Sequence, residues 1–185
     1  MIKCVISLLF FVSVFTCLAS TPDSAGTRYA GGMLYHSGYW DFPYKSNHMS
    51  GLISGLGGRI HFNLTPHHSI GGMGGNSNLK YDDFHSFYKL GYGGIVYEYK
   101  ITQGRFRFSA GIIAGGCKSK NYHFMPGVEP DRLNGIYSES SGVFGSPLLS
   151  AEVFLNRRFS LVLLTDYFIC SKGSDEYMLG GPRLH

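Results

Sequence analysis

Apolar and polar residues alternate along most of the chain beyond residue 27, and a period of two is typical of β-strands with one apolar face. The second predicted strand shows this most clearly, because Arg59, His61 and Asn63 lie opposite a face of mainly apolar residues. A phase change within the fourth strand predicts a bulge at Gly93–Gly94. The eight predicted strands are 28–38, 51–64, 68–76, 88–101, 105–117, 147–155, 159–170 and 177–185.

The predicted connections between these strands alternate in length. Short turns lie at 65–67, 102–104 and 156–158, and longer polar segments lie at 39–50, 77–87, 118–146 and 171–176. Transmembrane barrels have short periplasmic turns and long external loops. The sequence therefore predicts an all-β fold, an eight-stranded antiparallel up-and-down transmembrane β-barrel with short periplasmic turns and long external loops.

The polar face of the strands is rich in glycine and carries few charges, which suits the narrow interior of an eight-stranded barrel better than a surface in water. Aromatic residues are expected in two belts where such a barrel crosses the membrane boundaries. The belt near the short turns is Tyr29, Phe62, Tyr97, Tyr99, Phe106, Phe108 and Phe159. The belt near the long loops is Tyr39, Trp40, Tyr88, Tyr92 and Tyr167.

Residues 1–19 have the pattern of a cleaved secretory signal peptide, with Lys3 before a short apolar stretch and small residues after it. A buried or spanning helix and lipoprotein processing at Cys17 remain alternatives. Residues 20–185 form the predicted barrel domain. Charged residues make up 15% of the chain and 26 residues are glycine, a composition that disfavours disorder and helical bundles. The 16 basic residues form no run, so no nucleic-acid partner is expected.

Charged residues on the polar face predict a mixed-charge cluster in the lumen. Because isolated charges in a narrow interior are costly, these side chains are expected to pair, and Glu98 with Arg107 is the favoured pair. The cluster comprises Arg59, Glu98, Lys100, Arg105, Arg107, Glu152 and Asp166.

Catalytic and metal-binding patterns are scarce. The histidines lack the spacing of metal ligands, and no cofactor is predicted. Ser150 and Glu152, with His61 or His36, are candidates for a hydrolase triad, although a hydrogen-bond network in the lumen is favoured. Cys117 and Cys170 would lie on strands five and seven with strand six between them, so their backbones would be about 10 Å apart, which disfavours a disulfide.

The segment 118–146 is predicted to be a mobile external loop and the main binding element. An alternative is that it folds back over the lumen. The residues offered to a partner, whose nature is unknown, are Tyr122, His123, Phe124, Met125 and Tyr137.

In topology, signal peptide and alternation, the chain resembles small bacterial outer-membrane β-barrel proteins of the OmpA/OmpX type. The stretches 57–62, 69–75 and 180–185 are also similar to outer-membrane barrel-like proteins of Bacteroidota. The resemblance implies an outer-membrane location, lipid contact, and chaperones and assembly machinery as partners in biogenesis. Such barrels usually finish with a longer strand and a terminal aromatic, whereas this sequence ends at His185, so either the product is truncated or the last strand is short and the seam imperfect.

Three functions are consistent with these observations. The first is a non-enzymatic outer-membrane barrel, structural or binding through its loops, with a lumen plugged by side chains. The second is a barrel enzyme acting on lipid A or phospholipid. The third is a soluble periplasmic barrel that binds a small apolar ligand.

Overall fold

The computed structural model describes residues 29–44, 47–80, 87–124, 135–156, 159–172 and 178–185, so the predicted signal peptide lies outside them. These residues form a closed antiparallel barrel in which every strand pairs with its sequence neighbours. The prediction of an eight-stranded up-and-down barrel is confirmed. The strands are β1 (Tyr29–Tyr44), β2 (Asn47–Asn63), β3 (His68–Lys80), β4 (Phe87–Gln103), β5 (Phe106–Phe124), β6 (Gly135–Phe154), β7 (Ser160–Lys172) and β8 (Met178–Leu184).

Several strands extend well beyond their predicted ends. The β1–β2 ladder continues to the pair Tyr44↔Asn47, and the β5–β6 ladder continues to Phe124↔Gly135. The predicted long loops at 39–50 and 118–146 are therefore wrong over these paired residues. An antiparallel ladder is held by backbone hydrogen bonds and continues without an apolar face, so the loss of alternation did not mark the strand ends.

Two of the predicted short turns are confirmed at one end of the barrel, which we call the turn side. At the β2–β3 turn, the Thr65 hydroxyl accepts hydrogen bonds from the backbone N–H groups of His67 and His68. At the β4–β5 turn, Gly104 has φ of 62°, a conformation that glycine adopts without steric cost. The opposite end of the barrel is called the far side below.

The predicted bulge in β4 is wrong. The pairing of β4 with β3 and with β5 runs without interruption through Gly93 and Gly94. Tyr88, Leu90 and Tyr92 instead point into the barrel, whereas Ile95 and Tyr97 point outward. The phase of apolar residues changes because the inward residues of β4 are Glu98 and Lys100 near the turn side but Tyr88, Leu90 and Tyr92 toward the far side.

The register of the strands fixes their tilt. Cross-strand partners can be followed around the wall from Gly38 on β1, one residue on each strand from β8 to β2. They are Arg183, Asp166, Leu148, Gly111, Glu98, Ser69 and Asn63. Asn63 lies one residue beyond Phe62, the partner of Tyr29. This path around the barrel therefore returns to β1 about ten residues before Gly38 in the sequence. In a barrel of eight strands, an offset of this size corresponds to a strand tilt of about 40°.

The barrel closes at a short seam between β1 and β8. β8 has seven residues, and the seam contains the pairs Ser37↔Leu184 and Gly38↔Arg183. A Cβ atom at Gly38 would lie 2.4 Å from the carbonyl oxygen of Pro182, so the approach of the two strands requires glycine at this position.

Candidate functional site

The outer wall of the barrel is predominantly apolar. Every strand carries some large apolar side chains that face outward and are between 38% and 76% exposed. They include Leu52, Leu56, Ile60, Ile95, Ile112, Leu149, Leu163 and Tyr167. Toward the far side the outward positions become polar, at Asn76, Asn78, Lys89 and Lys118. The wall therefore presents an apolar band with a polar boundary.

The predicted aromatic belts are confirmed at only one end. All seven aromatic residues expected near the short turns are exposed on the outer wall. Of the second belt, Tyr39 and Tyr167 are exposed, but Trp40, Tyr88 and Tyr92 are buried in the lumen. These three residues lie at inward-facing positions of β1 and β4. Their place near the predicted long loops did not show which way their side chains point.

Those inward aromatic residues help to fill the far side of the lumen. Phe168 stacks on Phe144 at a ring-centroid distance of 4.9 Å and on Trp40 at 5.9 Å. Tyr92 meets both Phe144 and Phe168 edge-on. These ring contacts form a continuous aromatic cluster inside the barrel at the far side.

The turn side of the lumen contains most of the predicted charge cluster. Glu98 is fully buried on β4, and its carboxylate accepts a hydrogen bond of 2.7 Å from Arg59. Lys100 Nζ lies 4.0 Å from the second oxygen of Glu98, and the hydroxyls of Ser69 and Ser109 also donate to this carboxylate. Glu98 is thus the centre of a network that connects four consecutive strands, β2 to β5.

The favoured pair of Glu98 with Arg107 is wrong. Arg107 lies directly opposite Glu152 on β6, and their charged groups are 3.3 Å apart. Glu98 faces Gly111, further along β5. Glu152 also accepts a hydrogen bond of 2.5 Å from Ser160. Arg105 does not belong to the cluster either, because it lies exposed in the β4–β5 turn.

Asp166 belongs to a second buried group that sequence reasoning missed. Both of its oxygens accept hydrogen bonds from Arg183, and Ser146 and His185 are bonded to the same carboxylate. The Arg183 guanidinium also lies 4.4 Å from the ring centroids of Tyr92 and Phe168. The alternation of β8 would have placed Arg183 and His185 on one face, but the glycines and proline around them obscured it.

The candidate hydrolase residues are not assembled into a triad. Ser150 shares a hydrogen bond of 2.6 Å with Ser109 rather than with a histidine. His36 is bonded to Ser77 at 2.7 Å, and both residues are buried. Within the described part of the chain, no group of three His, Cys, Asp or Glu residues is arranged to hold a metal ion.

The candidate loop contacts lie at the far side. Tyr122 belongs to β5 and stacks on Phe87 at 4.5 Å. His123 and Phe124 continue β5, and Tyr137 lies on β6, so these positions belong to paired strands rather than to a loop. Met125 lies outside the described residues.

A disulfide joins Cys117 on β5 to Cys170 on β7, so the expectation of separate cysteines is wrong. Their Cα atoms are 7.1 Å apart rather than the flat-sheet distance. Curvature of the narrow barrel brings inward-facing positions together. The residue opposite Cys117 on the intervening strand is Gly142, which has no side chain to separate the sulfur atoms.

No protein-family model matches the chain, and no curated protein matches it either. The described residues contain no helix with the length and hydropathy that a membrane crossing requires.

Proposed function

We propose that this chain is a non-enzymatic β-barrel protein of the bacterial outer membrane, with a structural role or a binding role carried by its far-side hairpins. The observation that carries the proposal is the exposed apolar outer wall around an interior that holds both packed apolar side chains and buried ion pairs. A soluble barrel that binds an apolar ligand would instead present mainly polar side chains to water on its outer wall.

The height of the apolar band supports a membrane location. The outward residues of β5 run from Phe106 to Gly116 before Lys118 interrupts them. Ten residues at about 3.3 Å each, tilted by about 40°, give a height of about 25 Å. This equals the apolar band of about 25 Å that outer-membrane barrels present to lipid.

The paired strands extend past this band on one side only. β5 continues to Phe124 and pairs there with β6, so this hairpin projects beyond the membrane boundary defined by Lys118. Such a paired ribbon would offer its backbone edges to a partner outside the cell. The turn side, with its short connections, would face the periplasm.

Refolding tests the proposal. The chain from residue 20 is diluted from urea into buffer with and without dodecylphosphocholine micelles, and β-structure is followed by circular dichroism. We expect a folded monomer only with micelles, because the apolar wall needs an apolar environment. A monomer that folds fully in buffer alone would contradict the membrane assignment. In planar bilayers we expect no steady conductance, and a stable open pore would contradict the plugged lumen.

A further inference from the structure

His61 is a buried histidine without a hydrogen-bond partner. It points into the turn side of the lumen from β2 and is 3% exposed. Within the described part of the chain, neither of its ring nitrogens has a hydrogen-bond partner. A buried polar group in this state has lost its hydration without compensation, so a bound partner is expected at the ring nitrogens.

The charges around His61 favour an anion as that partner. Three cations lie in this part of the lumen: Arg59, two residues before His61 on β2, Lys100, which donates to Asn63 two residues after His61, and Arg107 nearer the rim. The carboxylates paired with these three cations are those of Glu98 and Glu152. This zone of the lumen therefore holds one more positive charge than negative charge.

The ammonium of Lys100 can donate more hydrogen bonds than its described contacts use. Its ammonium donates to Asn63 at 3.2 Å and stands 4.0 Å from Glu98, beyond ordinary hydrogen-bond distance. An ammonium carries three donors, so this contact with Asn63 leaves capacity for another acceptor. Arg107, whose side chain is 17% exposed, lies at the rim, where an ion could enter from the turn side.

We propose that the turn side of the lumen binds a small inorganic anion of halide size, held by a ring nitrogen of His61 and the ammonium of Lys100. Two donor groups suit a single-atom anion better than an oxyanion, whose several oxygens would each need a partner. The anion would compensate the excess positive charge and supply the partner that His61 lacks. The site is independent of any partner at the far side.

Bromide is the probe, because it replaces chloride and scatters anomalously. Crystals of the detergent-refolded protein grown in sodium bromide should show an anomalous peak within hydrogen-bond distance of His61 and Lys100. A difference peak there without anomalous signal would identify a water molecule and overturn the proposal, as would empty density. This measurement uses the unaltered chain, so it does not depend on whether a variant folds.

Thermal unfolding tests the role of His61 in solution. At constant ionic strength, replacing sodium gluconate by sodium bromide should raise the unfolding midpoint by about 5 °C once the site is saturated. The His61→Phe variant, which keeps a ring but removes both nitrogens, should lose this shift. His68→Phe, at the exposed β2–β3 turn, should retain it. A shift that persists in His61→Phe, or no shift in the unaltered protein, would overturn the proposal.

Discussion

Glu98 is the residue on which the turn-side network depends. It is fully buried and accepts hydrogen bonds from Arg59 and from two serine hydroxyls, with Lys100 nearby. Removing one partner of a buried pair is costly because the other charge stays buried without compensation. The number of cations around Glu98 makes this loss larger than in a simple pair.

We expect Glu98→Gln to lower the free energy of unfolding by about 3–5 kcal/mol. The matched control is Glu139→Gln at the far side, where the carboxylate is 34% exposed and lies 2.5 Å from Lys118. A pair with this exposure is screened by water, so the control should lose less than about 1 kcal/mol. Urea unfolding in lipid vesicles measures both values, and equal losses would contradict the assigned difference in burial.

The two cysteines give a second prediction at this scale. A bridge across the 53-residue separation of Cys117 and Cys170 restricts the unfolded chain. Replacing both by serine should lower the free energy of unfolding by about 4 kcal/mol in the chain-entropy account. In denatured protein, maleimide should label these cysteines only after reduction. Labelling of the unreduced protein would show that the bridge is absent.

Alternation in the sequence predicted correctly that most of these charged side chains face the lumen. It did not predict which charged residues pair with one another. Arg59, Glu98 and Glu152 all lie on the expected face. Their pairing depends on the register between strands, which places Arg107 opposite Glu152 rather than beside Glu98. A single sequence shows the faces of a strand but not the offset between neighbours.

The number of strands was predicted correctly from the sequence, but several of their ends were not. β5 was expected to stop at residue 117 and continues to Phe124, because its ladder with β6 does not need an apolar face. The opposite error occurred in β4, where an interior that changes character was interpreted as a bulge. Both errors arose because strand ends and bulges were predicted from the pattern of apolar residues. The backbone hydrogen bonds that determine them do not follow that pattern.

The seam between β1 and β8 is the shortest ladder of the barrel, and it depends on close backbone contact. We expect Gly38→Val to disrupt it, because the new side chain would collide with the backbone of β8. The closed barrel should become less stable by about 1–3 kcal/mol, as overpacked sites generally do. Amide hydrogen exchange should also speed up at the seam residues Ser37 and Leu184.

Gly93→Ala is the control for this substitution. A Cβ atom at Gly93 would have no atom within 4 Å, although the residue lies in the middle of β4. Its exchange rates and stability should match those of the unaltered protein. If Gly93→Ala were as disruptive as Gly38→Val, strain at the seam would not be the cause of the effect.

At the scale of the whole molecule, the arrangement is a barrel with its apolar surface outside. Alternation predicted this, because the polar face contained too little charge for a water-exposed surface. The closure of the wall at a short seam and the second buried group around Asp166 could not be predicted, since both depend on a β8 strand whose glycines and proline obscure its pattern.

Depth-dependent fluorescence quenching tests the central claim that the barrel spans a membrane. Ile112→Trp and Lys118→Trp, each made with Trp40→Phe, place a single tryptophan at two outward positions of β5. Vesicles whose lipids carry bromine near the bilayer centre are the quencher. We predict strong quenching and blue-shifted emission at position 112, and weak quenching with red-shifted emission at 118. Equally weak quenching at both positions would contradict the account.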